Sequence, residues 1–324
     1  MKALVTGATG FVGSHLLEAL VKRGDTVIAL ARRPDQHDAL KAIGATPVPG
    51  SLENDRALAN ALSGVDTVYH VAGATTARNE AEFFATNEGG TRRLLEAARA
   101  AAPNLRRFVY VSTQAALGPS PRDAALTEDA QCRPLTPYGR SKLAGELAVR
   151  GSVLPWSVVR PPAVYGPRDK EFLKLFRLAK RGLAPVFGAG TQQLSLVSVI
   201  DLVDALVLAG THDAATRQIF HAAHPEIVLS RDVSRAAGAA IGTSPVLIPV
   251  PGFVAAAIAG VVGRVASMMG QSTIISSERV AEFLAPSWLM NVSKAQRLLG
   301  WTAKISMQDG MRATGSWYRE HGWI

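Results

Sequence analysis

Tyr138 and Lys142 stand four residues apart in TPYGRSKLAGE (Thr136–Glu146), a stretch whose pattern predicts a helix. At that spacing both side chains lie on one face, one turn apart. A phenol has a reference pKa of ~10 and is a poor base at neutral pH. A neighbouring ammonium favours phenolate, and lowering the pKa by ~2–3 units corresponds to roughly 3–4 kcal/mol of differential stabilisation. The pair suits proton transfer to and from an oxygen, if the fold holds a reacting carbon beside it. Alone, it reads by default as an exposed helical couple.

VTGATGFVG, residues 5–13, supplies the missing context. It follows a strand pattern and opens a helical one. Gly7, Gly10 and Gly13 allow a tight turn, close approach of backbone to a pyrophosphate and close packing of helix on strand. The helix N-terminus offers N–H groups to the anion. The spacing is G-x-x-G-x-x-G, so Thr9, Phe11 and Val12 fall between the glycines and are expected against the same dinucleotide.

The second strand selects the dinucleotide. An acid at its end would bond a ribose 2′-hydroxyl and repel a 2′-phosphate. VIALARRPD instead has Ala31 at that position, followed by Arg32 and Arg33. Two guanidiniums can hold a phosphate through charge-assisted hydrogen bonds. The expected cofactor is NADP(H), with NAD(H) as the alternative.

The elements that position these groups alternate. KALVTG, TVIALA, TPVPG, DTVYHVAG and RRFVYVST read as strands; FVGSHLLEALVKRG, RALANALSG and ATNEGGTRRLLEAARAA read as helices. Apolar strands separated by helices imply a parallel sheet covered on both faces, with ligands at the strands' carboxyl ends. WSVVRPPAVYG adds a strand and its exit loop. Beyond Gly166, PRDKEFLKLFRLAKRG reads as an amphipathic helix, and SLVSVIDLVDALVLAG as a strand and helix returning to the sheet. The expected fold is α/β: a Rossmann-type doubly wound parallel sheet with a smaller, discontinuous mixed α/β substrate lobe. The dinucleotide-binding domain spans 1–166, with 195–224 returning to it; 167–194 and 225–324 form the lobe.

The formal charge of +9 is spread over scattered Lys and Arg, with no basic run longer than RR. A nucleic-acid footprint needs clustering on one face, so no nucleic-acid partner is expected. A single cysteine, Cys132, excludes an intrachain disulfide and fits a reducing compartment; with a strand pattern starting at the N-terminus, the expected location is cytoplasmic. The apolar run Phe253–Gly263 is too short to span a bilayer and reads as a wall helix.

Together, the glycine turn and YGRSK resemble the short-chain dehydrogenase/reductase superfamily. RPPAVYGPRD, NEGGTRRLLEAA and the chain length point to its extended branch, the NAD-dependent epimerase/dehydratase family. The resemblance implies Tyr138 as general acid/base and Lys142 as the group that holds the nicotinamide ribose and lowers the phenol's pKa. It implies a hydroxyl residue at the end of the fifth strand, Thr113 by counting back from Gly118, with Ser112 the alternative. Asn87 in N-x-x-G-T would help to position the lysine. Ser51, Leu52, Ala72, Gly73, Pro161 and Val164 complete the cofactor site. It also implies a homodimer through helices at about Glu80–Ala101 and Pro137–Arg150.

Departures from the family's sugar-nucleotide branch narrow the substrate. That branch has Asn where RPPAVYG has Ala163, and Arg where GAGTQQLSLV has Leu194; both contact a diphosphate. Losing both should cost several kcal/mol of charge-assisted binding. Dehydratases carry an Asp-Glu pair where Gln114 and Ala115 follow Thr113. With VLIPVPGFVAAAIAGVVGRVASMMG in the second lobe, the chain resembles the 3β-hydroxysteroid dehydrogenase and dihydroflavonol reductase-like branch. The expected partner is a small hydrophobic carbonyl or alcohol substrate. Two other readings stand: an NAD-dependent sugar-nucleotide epimerase, and a non-catalytic dinucleotide-binding regulator, which the Tyr–Lys pair disfavours. No metal is expected: His221 and His224 read as strand-end residues. His70 reads as a buried strand residue, and Glu146, Arg160 and Asp201 as structural charges.

Overall fold

The residues described in a computed structural model of the chain are 1–254, 257 and 277–324. Apart from Phe253, Val254 and position 257, the apolar run 253–263 lies outside them.

Seven parallel strands form the main sheet: β1 (Lys2–Thr6), β2 (Thr26–Ala31), β3 (Thr46–Pro49), β4 (Thr67–His70), β5 (Arg107–Val111), β6 (Trp156–Arg160) and β11 (Gln218–His221). Their order, β11-β6-β5-β4-β1-β2-β3, reverses between β1 and β4. That is the switch point at which an open α/β sheet leaves a crevice for a ligand. Alternation along each strand explains the double winding. In β1, Ala3 and Val5 pack on one face with Leu16, Leu17 and Leu20 of α1 (Phe11–Lys22) and Leu202 and Leu206 of α9 (Val199–Thr211). Leu4 points to the other face, against Leu58 and Leu62 of α3 (Asp55–Leu62), Leu94 of α5 (Gly90–Ala101) and Val149 of α7 (Pro137–Arg150). Each fully buried leucine contributes roughly 1.5–3 kcal/mol.

The strand in SLVSVIDLVDALVLAG, β10 (Leu196–Ser198), does not join the main sheet. It pairs with β7 (Ala163–Tyr165), and the strand that returns is β11. Helix α9 covers the main sheet, and its Asp201 carboxylate accepts the Lys304 and Ile305 N–H groups at 3.0 Å each, tethering the C-terminal segment. The smaller lobe holds a three-stranded mixed sheet, β12-β9-β14, in which β9 is Gln193–Leu194, β12 Val228–Leu229 and β14 Ser287–Trp288. A parallel pair, β8 (Leu183–Phe187) with β13 (Val246–Val250), lies beside it. Helices α8 (Lys170–Lys180), α10 (Ser230–Ala240) and Met307–Glu320 complete it, joined by the Tyr318 hydroxyl donating to the Asp169 carbonyl.

Candidate active site

The glycine turn lies at the switch point. Gly7 has φ +72°, and a Cβ there would sit 2.7 Å from the Ala72 nitrogen at the exit of β4. A Cβ on Gly13 would fall on the Gly7 carbonyl oxygen. Gly10 occupies the N-cap of α1 with no side-chain cap and no acid in the first turn, leaving the leading N–H groups to an outside acceptor. Thr9 and Gly10 are exposed; Phe11 and Val12 are half-buried. A cradle that other side chains would fill, backed by uncapped N–H groups, fits a pyrophosphate.

Helix α7 carries the Tyr–Lys pair. Thr136 is its N-cap, accepting the Gly139 N–H at 3.2 Å, and Pro137 presets the first turn. Half-buried Tyr138 lies against Phe83, with ring centres 6.1 Å apart. Lys142 is 4% exposed; its Nζ donates to the Val111 carbonyl at 2.7 Å and sits 4.2 Å from the centre of the Tyr110 ring. Burial pushes its pKa down to about 7, against the pull of the Glu146 carboxylate one turn on.

Asn87 holds this helix to the exit of β4. It lies in a π-helical turn, Ala85–Gly89, between α4 (Glu80–Phe84) and α5. Its amide clamps Ala74 from both sides, Oδ1 accepting the N–H at 2.8 Å and Nδ2 donating to the carbonyl at 3.0 Å, and Nδ2 also reaches Ser141 Oγ at 2.9 Å. A Cβ on Gly73 would lie 3.0 Å from Asn87 Oδ1 and 3.6 Å from Lys142 Nζ. Gly73, Asn87 and Lys142 are therefore one packed unit.

The two hydroxyls at the end of β5 part company. Ser112 is buried and donates to Glu146 Oε2 at 2.8 Å, a structural bond. Thr113 is half-buried and caps the short helix α6 (Gln114–Leu117), accepting the Ala115 N–H at 3.2 Å, so its hydroxyl hydrogen remains available to another acceptor. The Gln114 N–H donates to the Pro161 carbonyl at 2.8 Å, bringing Pro161 beside this pair. Glu146 also takes Arg160 bidentately, at 3.0 and 2.6 Å, with both side chains buried. Burial pushes the Cys132 thiol up, and it lies 3.5 Å from Arg160 Nη2.

Arg32 and Arg33 are exposed just past β2, next to β1 in the sheet. With the Gln36 amide turned to accept, its oxygen takes Arg33 Nε at 3.2 Å. Ser51 Oγ accepts the Glu53 N–H at 3.3 Å, and Leu52 is buried where a Cβ on Gly90 would touch its Cδ1 at 2.9 Å. Val164 pairs with Val197 in the β7–β10 ladder. Ala163 is exposed, whereas Leu194 pairs with Val228 and Trp288 in the lobe's mixed sheet. A groove of about 520 Å³ at the far end of α7, lined by Arg150, Trp156, Arg217 and Lys294 among others, contains none of these residues. Among the described residues, no group of three or more His, Cys, Asp or Glu could hold a metal, and no helix is long and apolar enough to cross a membrane.

Sequence reasoning missed Ser141, Tyr110 and the Val111 carbonyl. No motif marks a backbone carbonyl or a ring beneath an ammonium, but Ser141 lies next to Lys142 on the same helix and could have been suspected. Fully buried His221 ends β11 with Nδ1 3.2 Å from the Asn291 carbonyl, and burial pushes its pKa down to about 3. It is a strand-end residue, as expected.

A doubly wound sheet with a glycine turn at its switch point and a buried lysine one turn from a tyrosine defines a nicotinamide-dependent enzyme of the extended short-chain type. The model of the NAD dependent epimerase/dehydratase family matches residues 3–223, and the chain belongs to that family. A ceramide reductase of Caulobacter vibrioides is 33% identical over 323 residues, covering 99% of this chain and 95% of that protein. The 4-hydroxy-2-methyl-3-oxo-4-farnesyl-3,4-dihydroquinoline-1-oxide ketoreductase of Stigmatella aurantiaca is 28% identical, over 97% and 95% of the two chains. A solved structure, MoeE5 in complex with UDP-glucose and NAD, superposes with a TM-score of 0.78 at 26% identity over 99% of both chains. The expected fold, family and enzyme class are borne out.

Proposed function

We propose that the chain is an NADP(H)-dependent oxidoreductase that interconverts a carbonyl and a secondary alcohol on an apolar substrate. The observation that carries this reading is Lys142, buried, fastened to the Val111 carbonyl and packed with Asn87 on the helix that bears Tyr138. Gly7, Gly10 and Gly13 would hold the pyrophosphate, with Thr9, Phe11 and Val12 beside it; Arg32 and Arg33 would hold a 2′-phosphate. Ser51, Leu52, Ala72, Gly73, Asn87, Pro161 and Val164 would line the rest. When bound, the dinucleotide supplies or takes up the hydride. In reduction Tyr138 gives its phenolic proton to the carbonyl oxygen, and Thr113 orients that oxygen. Lys142 as ammonium stabilises the phenolate left behind, and the low dielectric around it strengthens the effect.

An apolar substrate is supported by Ala163 and Leu194, which replace polar and cationic family positions, and by the names of the two reductase relatives. The lobe, 167–194 and 225–324, would hold it. The same reading makes the protein a homodimer through helices within Glu80–Ala101 and Pro137–Arg150; exposed Leu147 on α7 is available to such a contact. The test is oxidation of NADPH and NADH by purified protein with ceramide-like, steroid, aryl and alkyl ketones. Turnover with NADPH on an apolar ketone is expected; equal turnover with NADH would defeat the cofactor assignment. The second reading, a sugar-nucleotide epimerase, is favoured by the likeness to MoeE5. It requires tightly retained NAD and binding of a nucleoside diphosphate sugar.

A further inference from the structure

We infer that His70 is a positioning residue for the Tyr138–Lys142 site, a neutral imidazole with its proton on Nε2 that joins the glycine turn to the π-helical turn carrying Asn87. Its catalytic consequence rests on the function proposed above; its geometry does not.

His70 ends β4 at the switch point and is fully buried. Four hydrogen bonds run through it in one direction. The Thr91 hydroxyl lies 2.7 Å from the Asn87 main-chain carbonyl, which can only accept, so Thr91 donates there. Its single hydrogen is then used, and at 2.9 Å from His70 Nε2 the same oxygen must accept. Nε2 therefore bears the proton, and Nδ1 of a neutral ring presents a lone pair. Thr6 Oγ1, 2.8 Å away, donates to it and in turn accepts the Ala72 N–H at 3.3 Å. Every member of the chain is satisfied with the ring in this tautomer.

Protonating the ring would break the sequence. A hydrogen on Nδ1 would face Thr6 Oγ1 and leave the Thr6 hydroxyl hydrogen without its acceptor in a buried site. Burial, then the Lys142 charge, push the imidazole down to about 3. The other titratable group against the ring is Tyr110, 5.6 Å away between centres, whose phenol burial pushes well up; Phe108 supplies an edge at 6.0 Å. His70 is thus a fixed connector, and Lys142 is the cation over the Tyr110 ring.

Both ends of the chain belong to the candidate site. Thr6 precedes Gly7, and Ala72 packs against Gly7. Asn87 clamps Ala74 and Ser141, the neighbour of Lys142. A donor and an acceptor on opposite edges of one rigid ring can bridge the two sides. An apolar residue cannot, and an amide carries both groups at one end of a flexible stem.

The test uses the full chain. Nitrogen-15 spectra of labelled histidine, with the His70 signals assigned by their loss in His70→Gln, should show an Nε2–H ring with no titration between about pH 5.5 and 8. An Nδ1–H tautomer, or a titration in that range, overturns the inference. His70→Leu should weaken NADPH binding ~10-fold or more and lower kcat by ~10–100-fold, as expected for a misplacement near 1 Å. His70→Gln should recover at least ~3-fold of each by restoring one bond. A folded His70→Leu with unchanged affinity and kcat overturns the inference, as does a His70→Gln no better than His70→Leu. Wild-type protein with the stated tautomer that binds the dinucleotide but reduces no ketone would support the inference while removing the proposed function.

Discussion

The Lys142 ammonium lies 4.2 Å from the centre of the Tyr110 ring, with the Val111 carbonyl as its hydrogen-bond acceptor at 2.7 Å. Cation–π attraction and one good acceptor partly offset its desolvation, yet burial still brings its pKa to about 7. The unfolded chain keeps this proton up to ~10.4. Between about 7 and ~10.4 the unfolded state binds more protons, so stability rises with pH there, and the full penalty applies below it. Lys142→Met should remove that rise. Relative to wild type, the variant should gain roughly 4 kcal/mol at pH 6 and nothing near pH 10.5, read by urea denaturation of the ligand-free protein. A constant difference across that range would contradict the assigned cause.

Tyr138→Phe should leave the fold and the dinucleotide affinity within ~3-fold, because the ring and its contact with Phe83 remain. Its ketone reduction should fall by ~10²–10⁴-fold, the usual worth of a positioned general acid. Steady-state kinetics beside a fluorescence titration of NADPH separates the two effects.

Glu146→Gln removes the carboxylate that holds Arg160 and receives Ser112, all three buried. Leaving that guanidinium without its counter-charge should cost about 3–5 kcal/mol. Ser112→Ala should cost only ~1–3 kcal/mol. A thermal or urea midpoint for Glu146→Gln equal to that of wild type would show the pair to be dispensable.

Gly13→Ala places a methyl on the Gly7 carbonyl oxygen, and backbone on both sides prevents a local remedy. The glycine turn must open. NADPH binding should weaken by more than ~100-fold, with the melting temperature reduced, in calorimetry of the purified variant.

Arg32→Ala and Arg33→Ala should each reduce NADPH affinity ~10–100-fold, the worth of a charge-assisted hydrogen bond to phosphate. NADH affinity should stay unchanged. Losses of equal size for both dinucleotides would mean that these side chains do not read the 2′-position.

The sheet was legible because buried parallel strands such as TVIALA and DTVYHVAG are continuous apolar runs bounded by turn residues. Thr136-Pro137 likewise announces a helix start through cap chemistry. Short elements escaped. Helix α6 depends on Thr113 capping four residues, and β7 is three residues, too short to show a period. The strand β10 was legible, but not its pairing with β7 instead of the main sheet, which no local pattern encodes. The π-turn at Asn87 escaped as well, since its bonding register is set by the clamp on Ala74 and Ser141 rather than by local propensity. Counting back from Gly118 selects Thr113 over Ser112 in the sequence; what needed the third dimension is that the Ser112 hydroxyl is already committed to Glu146.

The closing helix of the lobe, Met307–Glu320, has consequences for how the protein is made. Its Gly310 lies against the Tyr165 ring, and its Tyr318 fastens the entry to α8, so the lobe's interior joins positions about 150 apart in sequence. The seven-stranded sheet is complete in sequence at His221. On the ribosome the sheet can consolidate while α8 and α10 still show their apolar faces, and the lobe waits for Met307–Glu320 to emerge. Chains halted before Met307 should carry an assembled sheet and an unclosed lobe, exposed there to proteases and chaperones.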